Sequence, residues 1–265
     1  MSAPVRPRPL GAGEPAVPSS WARMTLALAG HELRLVLRRG ESLLVTFVIP
    51  AGVLLVFSAF DPAGGSRDGA AVDRLLPGTI ALAVIATSLV SLAISTGYER
   101  AYGVLKRLGG SPAGSSVVVG AKTASVLLEE AVQLVILVGI AVAQLGFRAG
   151  PTASVPVLLA ALVLGTVAFA GLGLLMAGTL RAEATLALAN LLFLLCLVLG
   201  GIVLPLDRLP PAVAAMAALL PPAVLTDALA IGLGTHAGDP TGPLLLLAAW
   251  AAVLAGLAAR VFRWD

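Results

Sequence analysis

Apolar residues run through this chain in long blocks broken by short polar stretches. Six blocks reach membrane length, at about 42–60, 75–97, 117–145, 153–180, 185–206 and 243–262. Each is predicted to be a transmembrane helix, because a hydrocarbon core of ~30 Å needs about 20 apolar residues at 1.5 Å of rise each. Continuous apolar runs exclude a β-barrel, whose strands alternate apolar and polar positions. Pro50 and Pro156 are placed to start or kink their helices. The third and fourth blocks exceed the minimum length and are expected to tilt or protrude.

Two further segments flank or interrupt this pattern. Residues 21–40 mix Trp21, Met24, Leu28 and Leu35 with Arg34, Arg38 and Arg39. The mixture predicts an amphipathic helix in the membrane interface; a cytosolic lead-in to the first span is the alternative. Residues 207–242 hold two apolar runs, Ala212–Leu220 and Ala223–Leu233, separated by Pro221-Pro222. Neither is long enough to span, so outer re-entrant half-helices are expected. The other reading, one more span broken by prolines, would put the C-terminus outside. Residues 1–20 carry five prolines and no apolar core, so they are not a signal peptide and are expected to be a disordered tail. The remainder, 21–265, reads as one all-α polytopic transmembrane domain.

Composition sharpens this. The chain is 58% hydrophobic and 12% charged, with a mean hydropathy of +1.00, against about 25% charged residues in a soluble domain. The net charge of +3 matters less than its placement. With both termini cytosolic, 13 of the 17 Lys and Arg residues face the cytosol and four (Arg67, Arg74, Arg148, Arg208) face outward. The positive-inside rule therefore selects that orientation. A basic complement of 15 Arg and 2 Lys, with abundant Ala, Gly and Pro, suggests a GC-rich bacterial genome and hence a bacterial cytoplasmic membrane.

Chemistry-bearing residues are sparse. Cys196 is alone in an apolar run and reads as a small hydrophobe. His31 and His236 have no neighbours at metal-ligand spacing, so no metal is expected. No phosphate-cradling motif is present: in Gly120-Ala121-Lys122-Thr123 an alanine separates the glycine from the lysine, and the segment opens an apolar helix. No nucleophile–base constellation suggests an enzyme. Inside the membrane, Lys122, Ser125, Glu129 and Gln133 fall on one helix face, with Glu130 beside it. A charge at mid-helix costs about 2.5–3.5 kcal/mol on insertion scales, so this face is expected to look into the bundle. It reads either as the polar wall of a substrate path or as paired structural groups between helices.

One polar block stands out, Glu99-Arg100-Ala101-Tyr102-Gly103-Val104-Leu105-Lys106-Arg107-Leu108-Gly109-Gly110-Ser111-Pro112, between the second and third spans. Lys106 and Arg107 are adjacent at the membrane boundary, and the glycines permit a turn and close approach. An acidic partner surface fits such a block through charge-assisted pairs; topology anchoring alone is the plainer reading. The block resembles the "E-R-x-x-G-x-L-K-R-L-x-x-[ST]-P" segment of type-2 ATP-binding-cassette exporter permeases, with Tyr102 where the family often has a charged residue. Pro205 through Pro211 (with Pro210) and Pro221 through Leu229 (with Asp227) resemble that family's "P-x-x-x-L-P" and "L-P-x-x-x-x-x-D-A-L" stretches. The chain resembles permeases of the daunorubicin-resistance kind.

The resemblance implies a non-catalytic exporter subunit for a drug or lipid. It implies that Glu99, Arg100, Gly103, Lys106, Arg107, Ser111 and Pro112 dock on a separate ATPase that binds the ATP and Mg. It also implies pairing with a second permease, identical or homologous, in contact with membrane lipid. No nucleic acid is expected. An ion-coupled secondary transporter using Glu129 or Glu130 as proton carrier is the competing class.

Overall fold

The computed structural model describes residues 23, 27, 30, 47–60, 70–109, 114–202 and 206–262. Trp21, Arg34, Arg38, Arg39, Ser111, Pro112 and Pro205 lie outside the described residues, as does most of the predicted interfacial helix.

The chain is an all-α polytopic membrane protein. Its described helices are α1 (Ile49–Phe60), α2 (Ala70–Ile85), a π-turn (Ala86–Ser91), α3 (Leu92–Ala101), α4 (Val104–Gly109), α5 (Gly114–Leu145), α6 (Val155–Thr179), α7 (Ala182–Leu199), a 3₁₀ turn (Leu206–Arg208), α8 (Pro211–Ala217), α9 (Pro221–Leu233) and α10 (Thr241–Val261). Five stretches are long and apolar enough to cross a membrane: Ala71–Ala101, Gly120–Leu145, Val155–Thr179, Ala182–Leu199 and Thr241–Val261. In the described part of the first predicted span, 47–60, Ile49–Ala59 is a shorter apolar helix.

Helix ends depart from the hydropathy blocks where local chemistry overrides length. The second span continues beyond its apolar run to Ala101, because the polar residues Tyr98–Arg100 still hold helical geometry above the boundary. The fifth ends at Leu199 rather than 206, because Gly200 caps it and Gly201 turns at φ +65°, a conformation that suits glycine. Pro156 sits in the first turn of α6, where its missing N–H costs nothing. On the loop before α10, Asp239 accepts hydrogen bonds from the Thr241 hydroxyl (2.7 Å) and Thr241 N–H (3.0 Å). These bonds hold its carboxyl below the usual carboxylate range. The stabilisation is therefore present above the ordinary carboxylate pKa and is lost as pH falls through the lowered one.

α6 is the hub. It packs on α10, α9, α3 and the π-turn, and small residues let its backbone approach each neighbour. Gly165 faces Leu225 of α9, Gly171 faces Leu254 and Ala255 of α10, and Gly178 faces Phe262. Because 168–171 meets 251–255 and Gly178 meets Phe262, α6 and α10 run parallel. A Cβ at Gly171 would lie 2.7 Å from Ala255 N and 2.9 Å from Leu254 C, backbone atoms with little room to yield. Gly171→Ala is expected to cost about 1–3 kcal/mol by overpacking. Gly139→Ala, with nothing within 4 Å, should be neutral or stabilising by about 0.5–1 kcal/mol. Thermal unfolding of both variants in one detergent checks the contrast.

The 207–242 segment forms a broken helix pair, α8 and α9, bent by 74°. Pro210-Pro211 and Pro221-Pro222 begin its two halves, which proline tolerates only in first turns. Gly150 N–H donates to Leu233 O (3.1 Å) and Ser154 N–H to Gly232 O (2.9 Å), tying the end of α9 to the start of α6. The elbow is held by Trp250, whose Nε1–H donates to Leu219 O at 2.9 Å. Trp250 is nine residues into α10, roughly 13 Å along its axis at 1.5 Å per residue. The elbow of the pair thus lies beside the middle of α10, and the end of α9 lies beside the start of α6.

Candidate functional site

The polar block between the second and third spans folds as a helix–turn–helix. α3 ends at Ala101, Gly103 reverses the chain at φ +70°, and α4 begins one residue later. A side chain is strained in that left-handed conformation, which explains glycine at 103. Leu105 is 1% exposed and anchors α4 to the bundle. Lys106 and Arg107, next along the same short helix, are exposed. Tyr102 is 73% exposed and stacks on Tyr98 with ring centroids 6.1 Å apart. The outcome is a small basic and aromatic face pinned by one buried leucine.

Glu99 and Arg100 are turned the other way. Lys122 Nζ lies 2.7 Å from Glu99 Oε2 and donates to Oε1 at 3.0 Å, linking α3 to the start of α5. Arg100 Nη1 donates to Ala177 O at 2.9 Å, linking α3 to the end of α6. Within the predicted coupling set, then, the structure separates an outward pair, Lys106 and Arg107, from an inward pair that fixes the helix carrying them.

Behind this surface, the predicted polar face of α5 is buried in the bundle: Lys122, Ser125, Glu129, Glu130 and Gln133 are each at most 6% exposed. Gln133 Oε1 accepts from the Thr87 hydroxyl of the π-turn at 3.2 Å. The Thr166 hydroxyl of α6 meets Glu130 Oε2 and also reaches Leu162 O at 2.7 Å. Glu130 Oε1 is buried without a hydrogen-bond partner among the described residues, and Ser125 Oγ donates to Ala121 O at 2.9 Å. The seam runs along α5 and is shared with α3, the π-turn and α6. Thr87 and Thr166 escaped the sequence reading because hydroxyls in apolar runs carry no charge signal. The Glu99–Lys122 pair escaped it because its partners are 23 residues apart.

On the opposite face, Asp227 of α9 borders a cavity of about 260 Å³ with Leu206, Ala223, Val224, Pro243 and Leu246. His236 Nδ1 lies 2.8 Å from Asp227 Oδ1, with the carboxylate accepting. Pro210, Pro211 and Pro221 are helix-start residues that do not line this cavity. Cys196 is half-buried in α7. Among the described residues no three His, Cys, Asp or Glu side chains gather as a metal site.

Apolar helices, five of them long enough to cross a membrane, with a broken helix pair and a short basic helix between them, make up the body of a polytopic membrane protein. The sequence model of the ABC-2 type transporter family matches residues 24–233, and the chain belongs to that family. The match runs from the first segment through the end of α9, so it includes the polar block, the buried seam and the broken pair. Membership makes the chain a transport membrane subunit of an ATP-binding-cassette system, which works with an ATPase partner. No curated protein matches the chain.

Proposed function

We propose that this chain is the permease subunit of an ATP-driven exporter that moves an amphipathic substrate, a drug or a lipid, outward across a bacterial cytoplasmic membrane. The observation that carries the reading is α4: two exposed cations on a helix held to the bundle by Leu105, in a member of the ABC-2 family. Residues 99–112 are the docking element for a separate ATPase, which binds the ATP and Mg. A second permease, identical or homologous, completes the path. The α4 face is cytosolic, as are both termini, and the re-entrant pair is external. Motion imposed on α4 passes through α3 into α5 and α6 by the Glu99–Lys122 and Arg100–Ala177 contacts.

Two experiments test this. In a Cys196→Ala background, Arg148→Cys should react with a membrane-impermeant maleimide in intact cells, and Lys106→Cys only after permeabilisation. Reaction at position 106 in intact cells would overturn the orientation. Cells making the chain with its ATPase should retain less ethidium or rhodamine 6G than cells whose ATPase lacks its catalytic base. Equal retention of such dyes and of fluorescent lipids would sink the amphipathic-export reading.

A further inference from the structure

The second span is helical from Ala70 to Ala101, yet its middle, Ala86–Ser91, is a π-turn. Both boundary residues, Ile85 and Leu92, keep ordinary helical dihedrals, so one surplus residue is absorbed without breaking the rod. Leu92 N–H reaches back to both Leu89 O and Thr87 O, the latter a five-residue π-type bond. Such segments are rare and concentrate at functional sites. This one is buried at Thr87, Ser88 and Leu89, where a loosened helix has no solvent to compensate it.

The surroundings fit the irregularity closely. Gly173 of α6 leaves open the space beside the displaced carbonyls: a Cβ there would lie 3.0 Å from Leu89 O and 3.2 Å from Ser88 O. The Ser88 hydroxyl donates to Val84 O at 2.6 Å, and the Thr87 hydroxyl to Gln133 of α5. On one side of the turn, α2 is packed on α1, α5 and α9, and Gly78 abuts the Ile202 backbone. On the other, α3 is tied to α5 and α6 near their α4-face ends and carries α4 directly. Thr96 Oγ1 of α3 and Glu130 Oε1 of α5 are buried without hydrogen-bond partners among the described residues, so this packing leaves two polar groups unsatisfied. Pro77, a second irregularity of the span, lies within two turns of the start of α2 at Ala70.

We propose that the π-turn is the hinge of the transport cycle. It exchanges between π and α geometry, so that α3 and α4 turn relative to α2 when the ATPase acts. The inference rests on the coupling reading of α4 and locates where the coupled motion is absorbed. Moving the surplus residue along a helix re-registers the intervening positions by about 100° and 1.5 Å each, enough to re-aim the polar seam.

The test uses the full chain with its ATPase in nanodiscs, in a Cys196→Ala background. Spin labels at Arg74→Cys and Tyr102→Cys, diluted with unlabelled protomers, report the distance across the turn with and without ATP–vanadate. The wild-type register should give two distance populations whose ratio changes with nucleotide. Deleting Val90 removes the surplus residue and keeps both flanks in phase. That variant should assemble, capture the ATPase normally, show one fixed distance, and lose ATP-dependent ethidium efflux at least tenfold. Gly173→Ala, which crowds the π carbonyls, should shift the population ratio without nucleotide.

A distance that stays constant in the wild type during ATP turnover would overturn the hinge. So would full efflux by the Val90 deletion. If that deletion prevents assembly, a Gly173→Ala ratio identical to wild type overturns it instead. Absence of ATPase capture by the wild-type chain would be a failure of the coupling reading, visible in the capture assay alone.

Discussion

Reversing both charges on α4, Lys106→Glu with Arg107→Glu, is expected to abolish capture of the ATPase while leaving the permease folded and inserted. Both side chains are exposed, so their replacement disturbs no packing. Insertion should persist because the N-terminal arginines dominate orientation. Against an acidic docking groove, two reversals set like charges together at a cost of several kcal/mol, and each 1.4 kcal/mol is a factor of ten in affinity. Capture should therefore fall by about a hundredfold or more, and ATP-driven dye efflux should fall with it. Neutralising one cation, as in Lys106→Ala, should weaken capture by about tenfold and make it less sensitive to salt. Leu105→Ala supplies the complementary case: it keeps the charges and removes the buried anchor, so capture should weaken through a misplaced helix. The measurement is a pull-down at matched expression. Undiminished capture and efflux by the double reversal would show that the ATPase grips the permease elsewhere.

Much of this architecture was legible from the sequence, because the bilayer imposes a simple length rule on apolar runs. The blocks around 117–145, 153–180 and 243–262 are helices within three residues of their hydropathy bounds. Prolines at 210–211 and 221–222 announced two short helices, and the two runs did fold as a broken pair. The face of α5 was also legible, since charges in a membrane helix must look inward, and Lys122, Ser125, Glu129 and Gln133 are buried together. Three features were not visible. The π-turn has no compositional signature, because Ala86–Ser91 reads as ordinary apolar helix. The partners of the seam, Thr87 and Thr166, are single hydroxyls whose significance depends on which helix lies opposite. The division of the polar block into inward and outward pairs depends on helix phase at Gly103, which spacing alone leaves open.

That division has an energetic consequence at the Glu99–Lys122 pair. The Lys122 side chain is 4% exposed and that of Glu99 is 29% exposed, so the two partners are not equivalent. Removing one member of a buried pair costs about 3–5 kcal/mol because a charge is left without compensation. Glu99→Gln takes this carboxylate from the buried ammonium but not its remaining contacts, and belongs at the lower end, about 3 kcal/mol. Lys122→Met leaves the Glu99 carboxylate partly solvated, 29% exposed, and should cost less, about 1 kcal/mol. With 1 kcal/mol corresponding to roughly 2–4 °C in a chain of this size, the expected losses in thermal midpoint are about 6–12 °C and about 2–4 °C. The double variant Glu99→Gln with Lys122→Met should be less destabilised than Glu99→Gln alone, with a coupling of about 1–3 kcal/mol. Because the pair lies one turn before Gly103, its loss also frees the base of α4. Glu99→Gln should therefore weaken ATPase capture although Glu99 faces away from the docking surface, and Lys122→Met should weaken it less. Additive losses in the double-mutant cycle, or normal capture by a destabilised Glu99→Gln, would mean that the pair holds the bundle together without positioning α4.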